Sequence, residues 1–544
     1  MPPPSSCPFP RRPVSCAATA RLAWPTLLQS LYLAATFPDR TECDLGGTLP
    51  DLDRLRSPCR LFFILRDRKA VTPIEESIFR CTHFRVMKLL IISPHFPPSN
   101  AADMQRIRLV SGYLGENEIE VVILAVESDQ VSAPKDDFLS STVPAALDVQ
   151  RTRALGIKWG KMPGLGTLSN RAIHALGRAG DKLLKAKPFD LVYFSTTQFG
   201  IHLLGPRWKQ KFGVPFVMDY QDPWVNDYYR NHPEVTPPGG RLKYSVVDRI
   251  NRVNEPKVLR HCSGITSVSK AYPKQLESRY PWLRCMNWAD RKPSSTGKKE
   301  RQLPSLIAPF PGDARDFSLI RESSIQQNVF DPSDGKIHWV YVGRGGEDMA
   351  LALGGLFYGI RERLRNDPEM AKSLQLHFVG TSYAAAGSGK KTVLPIAEKF
   401  GLAAIVEEDP DRIPYSETLR CLLDADALIV PGSDDPAYTA SKIYSYLLAD
   451  KPMLAIFHKE SSVTSLIETV GGGSVVSFSS SDSTESLGMR IASSVFSENL
   501  TIPSVALDHD RFAPHTARSE AARFAEFFRY CLAREQEQSQ ENGN

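Results

Sequence analysis

The clearest signs of chemistry in the sequence are two cationic side chains that follow apolar runs near glycines or hydroxyl groups. In HWVYVGRGGEDMA an apolar run ends and is followed by Gly343, Arg344, Gly345 and Gly346. Glycines let the backbone approach a ligand, an arginine can hold two diphosphate oxygens, and N–H groups at a helix start add positive charge. We therefore predict that Arg344 binds phosphate. The alternative is a plain glycine-rich turn with an exposed arginine.

The second cation, Lys442, stands near the start of an expected helix. It belongs to SDDPAYTASKIYSYLLADKP, which follows the apolar run ADALIVPG. A lysine at a helix N-terminus opposes the helix dipole by about 0.3 to 1 kcal/mol, so a bound anion best explains its presence. We expect four nearby side chains to complete the same site: Ser433, Tyr438, Thr439 and Ser441.

A loop in the first half of the chain combines two carboxylates with an indole ring. In FVMDYQDPW, Asp219, Asp222 and Trp224 leave a buried run together and are expected to project into one crevice at the strand end. Carboxylates and aromatic rings suit the binding of sugar hydroxyl groups. The alternative is that Asp222 caps the next helix, with Pro223 in its first turn.

Another candidate loop, SPHFPPSNAADMQRIR, follows the first apolar run after residue 87. Its prolines stiffen the turn before a helix whose early face presents Asn100, Asp103 and Arg106. We expect this loop to cover the crevice and to touch a ligand. In the alternative interpretation it is an ordinary helix start, capped by Ser99, Asn100 or Asp103.

These loops require a scaffold that brings strand ends together. From Met87 onward, apolar runs rich in Val, Ile, Leu and Phe alternate with amphipathic stretches, which is typical of parallel sheets covered by helices. Two series of strands are expected, at 88–93, 121–126, 190–195, 216–220 and 264–269, and at 337–343, 374–380, 403–406, 425–430, 452–457 and 473–478. The pattern predicts two doubly wound α/β domains with ligands at the carboxyl ends of their strands.

Composition suggests where these domains begin and end. We predict an N-terminal extension at 1–86, a first Rossmann-like domain at 87–300, an interdomain connection at 301–335, a second Rossmann-like domain at 336–512, an amphipathic helix at 513–534 and a disordered tail at 535–544. The extension holds eleven prolines and eleven arginines to one lysine, and we interpret it as disordered or as a misassigned start. The alternative is a weak signal peptide around residues 22–37.

Charge and cysteine content exclude several classes of protein. The net charge is +5, but residues 1–86 carry twelve basic against eight acidic side chains, so the remainder is nearly neutral and is not a general nucleic-acid binder. No CxxC pair or His-flanked cysteine cluster occurs, so we expect no metal site and a reducing, cytoplasmic location. No apolar run is long enough for a transmembrane helix, and AAAGSGKKT lacks the residues of a phosphate-binding P-loop.

Several segments in order carry a family resemblance: MKLLIISPHFPPS, VPFVMDYQDPW, GITSVSKAYPKQL, APFPGDARDF, VYVGRGG, LHFVGTSYA and SKIYSYLLADKP. Together, over about residues 87–533, they resemble glycosyltransferase family 4. The resemblance implies the GT-B architecture, in which two Rossmann-like domains face a central cleft. It also implies retaining transfer from a nucleotide sugar to a glycan or lipid-linked acceptor, without a metal ion or a further cofactor, in polysaccharide or glycolipid assembly. Peripheral contact with the inner face of a membrane is a further expectation.

In that setting the candidate residues take roles. Arg344 and Lys442 would neutralise the diphosphate of the leaving group, and Asp222 is the third residue assigned to catalysis. Gly343, Gly345 and Gly346 join the hydroxyl side chains in donor binding. The acceptor side comprises His95, Asn100, Arg106, Asp219 and Trp224.

The chain departs from the family pattern in the donor half. Family 4 often has acidic residues at the positions of Ala437 and Ser445, and a lysine where Glu347, Asp348 and Met349 stand here. Two alternatives therefore remain open. One is a catalytically silent protein of the same fold that binds a glycan or nucleotide, and the other is a nucleotide-sugar epimerase.

Overall fold

The computed structural model describes residues 86–162, 164–231, 237, 240–290, 300–384, 387–436, 438, 440–496 and 500–541, which belong to one compact unit. The predicted extension at 1–86 lies outside the described residues except for its last position. Thr439 and Ala437 lie outside them as well.

The first sheet is parallel throughout and has eight strands in the order β3-β2-β1-β4-β5-β6-β8-β7. Its strands are β1 Met87–Ile92, β2 Ile119–Val126, β3 Asp148–Thr152, β4 Leu191–Phe194, β5 Phe216–Tyr220, β6 Gly264–Ser267, β7 Leu283–Asn287 and β8 Arg301–Ile307. The sequence predicts five of the eight. Of the three unpredicted strands, β3 and β7 lie at the two edges and are only partly buried, so they lack the continuous apolar run of a central strand.

The second sheet has six parallel strands in the order β11-β10-β9-β12-β13-β14. They are β9 Ile337–Val342, β10 Leu374–Val379, β11 Val406–Asp409, β12 Ala427–Pro431, β13 Met453–His458 and β14 Ser474–Phe478. The strand predicted at 403–406 begins only at its last residue, because 403–405 form a 3-10 turn. This strand order is that of a doubly wound Rossmann fold. The predicted fold class, two doubly wound Rossmann-like domains as in the GT-B architecture, is confirmed.

Sixteen α-helices connect and cover these strands in the described part of the chain. They are α1 Gln105–Leu114, α2 Phe138–Ser141, α3 Leu168–Ala186, α4 Leu204–Phe212, α5 Tyr228–Asn231, α6 Arg241–Leu259, α7 Ala271–Arg279, α8 Ala314–Glu322, α9 Ala350–Leu364, α10 Leu394–Lys399, α11 Tyr415–Asp424, α12 Ile443–Leu448, α13 Ser462–Val470, α14 Thr484–Ser494, α15 His509–Phe512 and α16 Ala517–Glu541.

Two segments differ from the predicted organisation. The predicted connection at 301–335 contains β8, which pairs with β6 and β7 and so belongs to the first sheet. The tail predicted as disordered at 535–544 continues α16 as far as Glu541. It is held there because the carboxylate of Glu535 accepts hydrogen bonds from Lys209 and Ser263 of the first domain.

The chain crosses between the two sheets twice, and both crossings bury side chains. Helix α8 follows the first sheet and contributes Asp316. The carboxylate of Asp316 accepts two hydrogen bonds from Arg108 of α1, at 2.8 and 2.7 Å, and one from the hydroxyl of Tyr415 of α11. Helix α16 returns from the second domain and packs Phe524 and Phe528 against Tyr193 of β4. The last helix is therefore part of the core of the first domain.

Candidate active site

Arg344 and Lys442 come from the two strand ends where a doubly wound sheet binds its ligands. Strand β9 has β10 on one side and β12 on the other, so the chain reverses its direction of winding between β9 and β12. Arg344 lies two residues beyond β9, and Lys442 directly precedes α12, the helix that follows β12. Loops at such a topological switch point border the ligand crevice of this fold. The structure thus brings the two predicted cations to one edge.

Lys442 lies against the backbone of residues 343–346, the glycine loop. Its Nζ donates a 3.0 Å hydrogen bond to the hydroxyl of Tyr341, and that hydroxyl donates in turn to the carbonyl oxygen of Arg344. A Cβ atom on Gly343 would lie 1.5 Å from the same Nζ, so no larger residue fits there with the lysine in place. The glycine predicted to admit a ligand therefore also admits the lysine.

The ammonium of Lys442 stands among cations. Burial, together with the positive charges of Arg344 and Arg412, lowers the pKa of Lys442 to about 7. No carboxylate forms an ion pair with Lys442 within the described residues. A partly buried ammonium that is surrounded by positive charge favours a bound anion.

The guanidinium of Arg344 is already paired. Both of its terminal nitrogens bond the two carboxylate oxygens of Asp348, at 2.9 and 2.6 Å, and it lies 4.6 Å above the ring centre of Tyr438. The hydrogen bonds that Arg344 donates to Asp348 raise the pKa of Arg344 above its ordinary value. A carboxylate thus takes the bidentate position on Arg344 that a phosphate was predicted to take.

The backbone of the glycine loop is less open than the sequence predicts. The N–H groups of Gly343 and Gly345 donate to the carbonyl oxygens of Val379 and Thr381, at 2.8 Å each, so they are unavailable to a phosphate. A Cβ atom on Gly345 would lie 2.4 Å from Oγ1 of Thr392, and one on Gly346 would lie 2.4 Å from Oδ1 of Asp348. These two glycines permit close packing within the protein.

The remaining donor-side residues are spread around this loop. Ser433 is buried, and its hydroxyl accepts from the N–H of Asp435 and donates to the carboxylate of Asp348. Burial acts to raise the pKa of Asp348, but the hydrogen bonds from Arg344 and Ser433 outweigh it and hold that pKa below its ordinary value. Tyr438 lies beneath Arg344, as described above. Ser441 is exposed beside Lys442. The prediction for Thr439 falls outside the described residues.

On the first sheet, the corresponding switch point lies between β1 and β4 and holds a histidine–carboxylate pair. Nδ1 of His95 lies 2.7 Å from the carboxylate of Asp103, which also accepts from Thr196 and from the backbone N–H of Thr197. Burial acts to raise the pKa of Asp103, but these hydrogen bonds outweigh it and hold the pKa below its ordinary value. An ionised Asp103 requires Nδ1 of His95 to carry a hydrogen, so in the neutral form of the ring Nε2 is the acceptor.

Asp222 projects from the same edge of the first sheet and is exposed. Partial burial and the charge of Asp103 raise the pKa of Asp222 to about 6. Burial and, after it, the charge of Asp222 raise the pKa of Tyr272 to about 12, so these two side chains lie within electrostatic range of each other. The capping alternative is not observed, because no helix begins at Pro223 and the next one begins at Tyr228.

Three residues predicted to contact the acceptor are buried, so the prediction is wrong for them. Arg106 and Asp219 are almost fully buried, and Nε of Arg106 lies 2.9 Å from the carboxylate of Asp219. Asp219 still lies within β5, and it also accepts hydrogen bonds from Ser195 and Thr266. Both charges are therefore used inside the domain and do not reach the crevice.

Trp224 is the third, because only 3% of its surface is exposed. Its Nε1 donates to Asn251 of α6, and its ring stacks on Phe199 at 5.6 Å. The indole therefore packs helix α6 onto the domain and has no free face for a sugar. Asn100 joins the loop through its backbone, whose N–H donates to the carbonyl of Pro134, and neither it, Ser99 nor Asp103 caps a helix.

The structure adds residues to the site that sequence reasoning missed. Asp348 and Tyr341 hold the two cations, and Arg412 extends the positive charge from the end of β11. At the edge of the first sheet, Tyr272 lies near Asp222. Arg412 lies three residues beyond the end of β11 in EEDPDR, so its position was open to the rule that placed Arg344. The partners of Asp348 depend on side-chain directions that spacing does not give.

The segment AAAGSGKKT ends at a helix start that is already filled by the protein. The carboxylate of Glu408 accepts from the N–H groups of Thr392, Val393 and Leu394, at 2.8 to 2.9 Å. A phosphate therefore has no free amides at that position. Across the described ranges, no cluster of His, Cys, Asp or Glu has the arrangement of a metal site, and no helix has the length and hydropathy to cross a membrane.

No protein-family model and no curated protein matches the chain. Similar solved structures include HepE of Anabaena with UDP and glucose, with 14% identity, 84% of this chain and 99% of that chain covered and a TM-score of 0.42. A UDP-forming α,α-trehalose-phosphate synthase from Burkholderia xenovorans has 13% identity, coverage of 82% and 99% and a TM-score of 0.45. UDP-GlcNAc 2-epimerase from Methanocaldococcus jannaschii has 13% identity, coverage of 82% and 100% and a TM-score of 0.41. At these values the likeness identifies neither a family nor an activity.

Proposed function

We propose that the protein is a glycosyltransferase that transfers a sugar from a nucleotide-sugar donor to a glycan or lipid-linked acceptor. The observation that carries the proposal is the ammonium of Lys442, which lies at a topological switch point beside Arg344 and Arg412 and has no carboxylate partner among the described residues. A diphosphate would supply the negative charge that this position favours. The ordered segments that resemble family 4 support a sugar as the group attached to that diphosphate.

In this proposal the two cations act on the leaving group. As the bond between sugar and diphosphate breaks, negative charge grows on the phosphate oxygens, and Lys442 and Arg344 neutralise it most fully at the transition state. The diphosphate must compete with Asp348 for Arg344, because that carboxylate holds both terminal nitrogens. We assign no step to a metal ion or further cofactor, and no protein nucleophile, in keeping with retaining transfer.

The acceptor is proposed to bind at the edge of the first sheet, where two groups are suited to hydroxyls. Asp222 is exposed there, and because Nδ1 of His95 bonds Asp103, Nε2 is the ring nitrogen that can bond a hydroxyl. A carboxylate and an imidazole nitrogen can each accept a hydrogen bond from an acceptor hydroxyl. The role of Asp222 in catalysis is then to orient that hydroxyl.

Membership of family 4, a role in polysaccharide or glycolipid assembly, and a cytoplasmic location complete the proposal. The last is supported by the cysteines of the described residues, which are unpaired: Cys262, Cys285, Cys421 and Cys531. Free buried thiols are usual in a reducing compartment.

Nucleotide release by the full-length protein tests the proposal. The protein is incubated with UDP-, GDP-, ADP- and dTDP-sugars, with and without a lipid extract, beside Lys442→Ala and the exposed control Lys399→Ala. We expect one donor to release its nucleotide, the release to rise with extract, and Lys442→Ala alone to abolish it. Binding without release would support the silent relative, and interconversion of the donor sugar without an acceptor would support the epimerase.

A further inference from the structure

Helix α6 carries an exposed apolar stripe that nothing in the described chain covers. Leu242, Val246, Ile250 and Val253 follow one another at intervals of four, four and three residues, so they share one face of the helix. Leu242 is 87% exposed and Val246 is 61% exposed. A helix in a water-soluble domain normally turns such a stripe inward, so this face is suited to a partner.

The acidic residues of α6 are buried, whereas its exposed charged residues are basic. Its acidic residues, Asp248 and Glu255, are buried, and Asp248 is paired with Arg252. The exposed charged residues of the helix are all basic: Arg241, Lys243, Arg249 and Lys257. The outer face of a helix of 19 residues is therefore both apolar and positively charged.

A second segment has the same character. The 3-10 turn Ile157–Lys161 exposes Ile157 and Trp159, and the flanking Leu155 and Met162 are also exposed. Lys158 and Lys161 supply positive charge, and no acidic residue occurs between 151 and 167. Tryptophan beside lysine is the combination found at the interface of a membrane with water.

Contacts in the first domain link the two segments. Helix α3, which follows the turn, donates from Ser169 N–H to the side chain of Gln198 at 3.0 Å. The next residue, Phe199, stacks on Trp224, and Trp224 donates to Asn251 of α6 at 3.1 Å. Beside the turn, the N–H of Leu155 donates to the carbonyl of Arg171 of α3 at 3.1 Å, and α3 and α6 both contribute to one buried cluster on a single face of the first sheet. The turn and the helix therefore belong to the same layer of the domain.

We infer that helix α6 and the 157–161 turn form a docking face for the surface of an anionic lipid bilayer. Charge complementarity selects this occupant, because basic side chains approach anionic headgroups while the apolar stripe enters the boundary of the acyl chains. A second copy of the chain fits less well, since a symmetric contact through this face would oppose Arg249 and Lys257 with like charges. The inference does not rest on the proposed sugar transfer.

Flotation of the full-length protein with vesicles tests this face. One set of vesicles is phosphatidylcholine alone, and the other contains about a quarter phosphatidylglycerol to set a negative surface charge. We expect flotation with the anionic set only, and weaker flotation at high salt. Replacing Lys243, Arg249 and Lys257 by Gln should weaken binding about a hundredfold, since each basic residue near the surface contributes about fivefold.

A second variant removes the apolar stripe by changing Val246, Ile250 and Val253 to Ser, and should weaken binding at least about tenfold. The matched control is Met489→Ser with Lys399→Glu, an exposed apolar and an exposed basic residue of the second domain. Equal flotation of both variants and the control would overturn the inference. So would equal flotation with neutral vesicles, or a dimer in size-exclusion chromatography that the Ser variant converts to a monomer without any change in flotation.

Trp159 provides a measurement that needs no loss of binding. Its indole should move into a less polar environment on the vesicle, so the difference in emission between wild type and Trp159→Phe should shift to shorter wavelength when anionic vesicles are added. An unchanged difference spectrum while the protein floats would exclude the 157–161 turn from the docking face. Both measurements omit the donor, so failure of sugar transfer and failure of docking are distinguishable.

Discussion

Donor affinity should fall as the pH rises above neutrality, because the empty site holds Lys442 near its titration point. Its pKa is lowered from 10.5 to about 7 by burial and by the neighbouring cations. A diphosphate binds the ammonium form and raises this pKa again. About half of the lysines are charged at pH 7 and about 3% at pH 8.5, so the affinity should fall roughly sixteenfold over that interval. A lysine with the ordinary pKa would give no change.

Titration calorimetry with the nucleotide sugar that the release assay selects would measure this dependence. A nucleotide sugar is preferable to a free nucleotide, because its diphosphate is fully esterified and keeps its charge across the range. Repeating the titration near pH 8 in buffers of different ionisation enthalpy should show uptake of nearly one proton for each donor bound. The uptake reports on Lys442 even if absolute affinities drift with pH.

Two variants separate the charge of Lys442 from its titration. Lys442→Met should bind the donor weakly at every pH and take up no proton. Lys442→Arg keeps a positive charge throughout, so whatever its affinity, that affinity should be independent of pH. Wild-type affinity that stays constant to pH 8.5 without proton uptake would refute the reasoning. Wild-type affinity in Lys442→Met at pH 7 would refute any contact between this lysine and the donor.

Three further predictions follow from single contacts. Asp348→Asn should free Arg344 and tighten donor binding about two- to fivefold, the range for a partly exposed ion pair, as measured by the same calorimetry. Gly343→Ala should weaken donor binding at least about tenfold, because its Cβ would displace the ammonium, whereas Gly115→Ala enters open space and should not. The buried His202 has a pKa lowered to about 4, so the free energy of unfolding should fall by about 2 kcal/mol between pH 7 and pH 5, and His202→Phe should lose that part of the slope in urea titrations.

Acid destabilises the folded protein through His202 because the unfolded chain binds the proton first. In the unfolded chain the imidazole of His202 takes up a proton near pH 6.5, whereas in the folded chain it does so only near pH 4. Acid therefore favours unfolding between these values. His174→Phe, at an exposed position, is the control, and an unchanged slope in His202→Phe would contradict the assignment. For the Asp348 prediction, Glu347→Gln is the control. Weaker donor binding in Asp348→Asn would contradict the view that Asp348 competes with the donor for Arg344.

The sequence was sufficient where the chemistry depends on strand ends. A central parallel strand reads as an apolar run, and its carboxyl end fixes where the next polar residues lie, so Arg344 and Lys442 could be assigned to one edge. The same rule fails for Asp219, which also stands near the end of a run. Asp219 lies within the predicted run 216–220, one residue before its end at Tyr220, and so the carboxylate stays inside the sheet.

Arg106 and Trp224 show why the rest could not be predicted. Arg106 is buried partly by α16, whose Phe524 lies 5.7 Å from its guanidinium and more than four hundred residues away in the sequence. Trp224 is buried by its contact with Asn251 of α6. In both cases the exposure of a polar or aromatic side chain depends on a helix that arrives from elsewhere in the chain. Spacing within a loop carries no information about that arrival.

The proposed sugar transfer and the proposed membrane docking assign the acceptor to the first domain and the donor to the second. The basic, apolar face of α6 and the exposed Asp222 belong to the first domain, and both Trp224 and Asn251 tie α6 to the loop that carries Asp222. The cationic site of Lys442 belongs to the second domain. A lipid-linked acceptor would therefore reach the first domain from the bilayer, while a water-soluble donor would reach the second from solution. On this view anionic vesicles should raise the rate with a lipid-linked acceptor and leave donor affinity unchanged, and a gain in donor affinity on vesicles would contradict it.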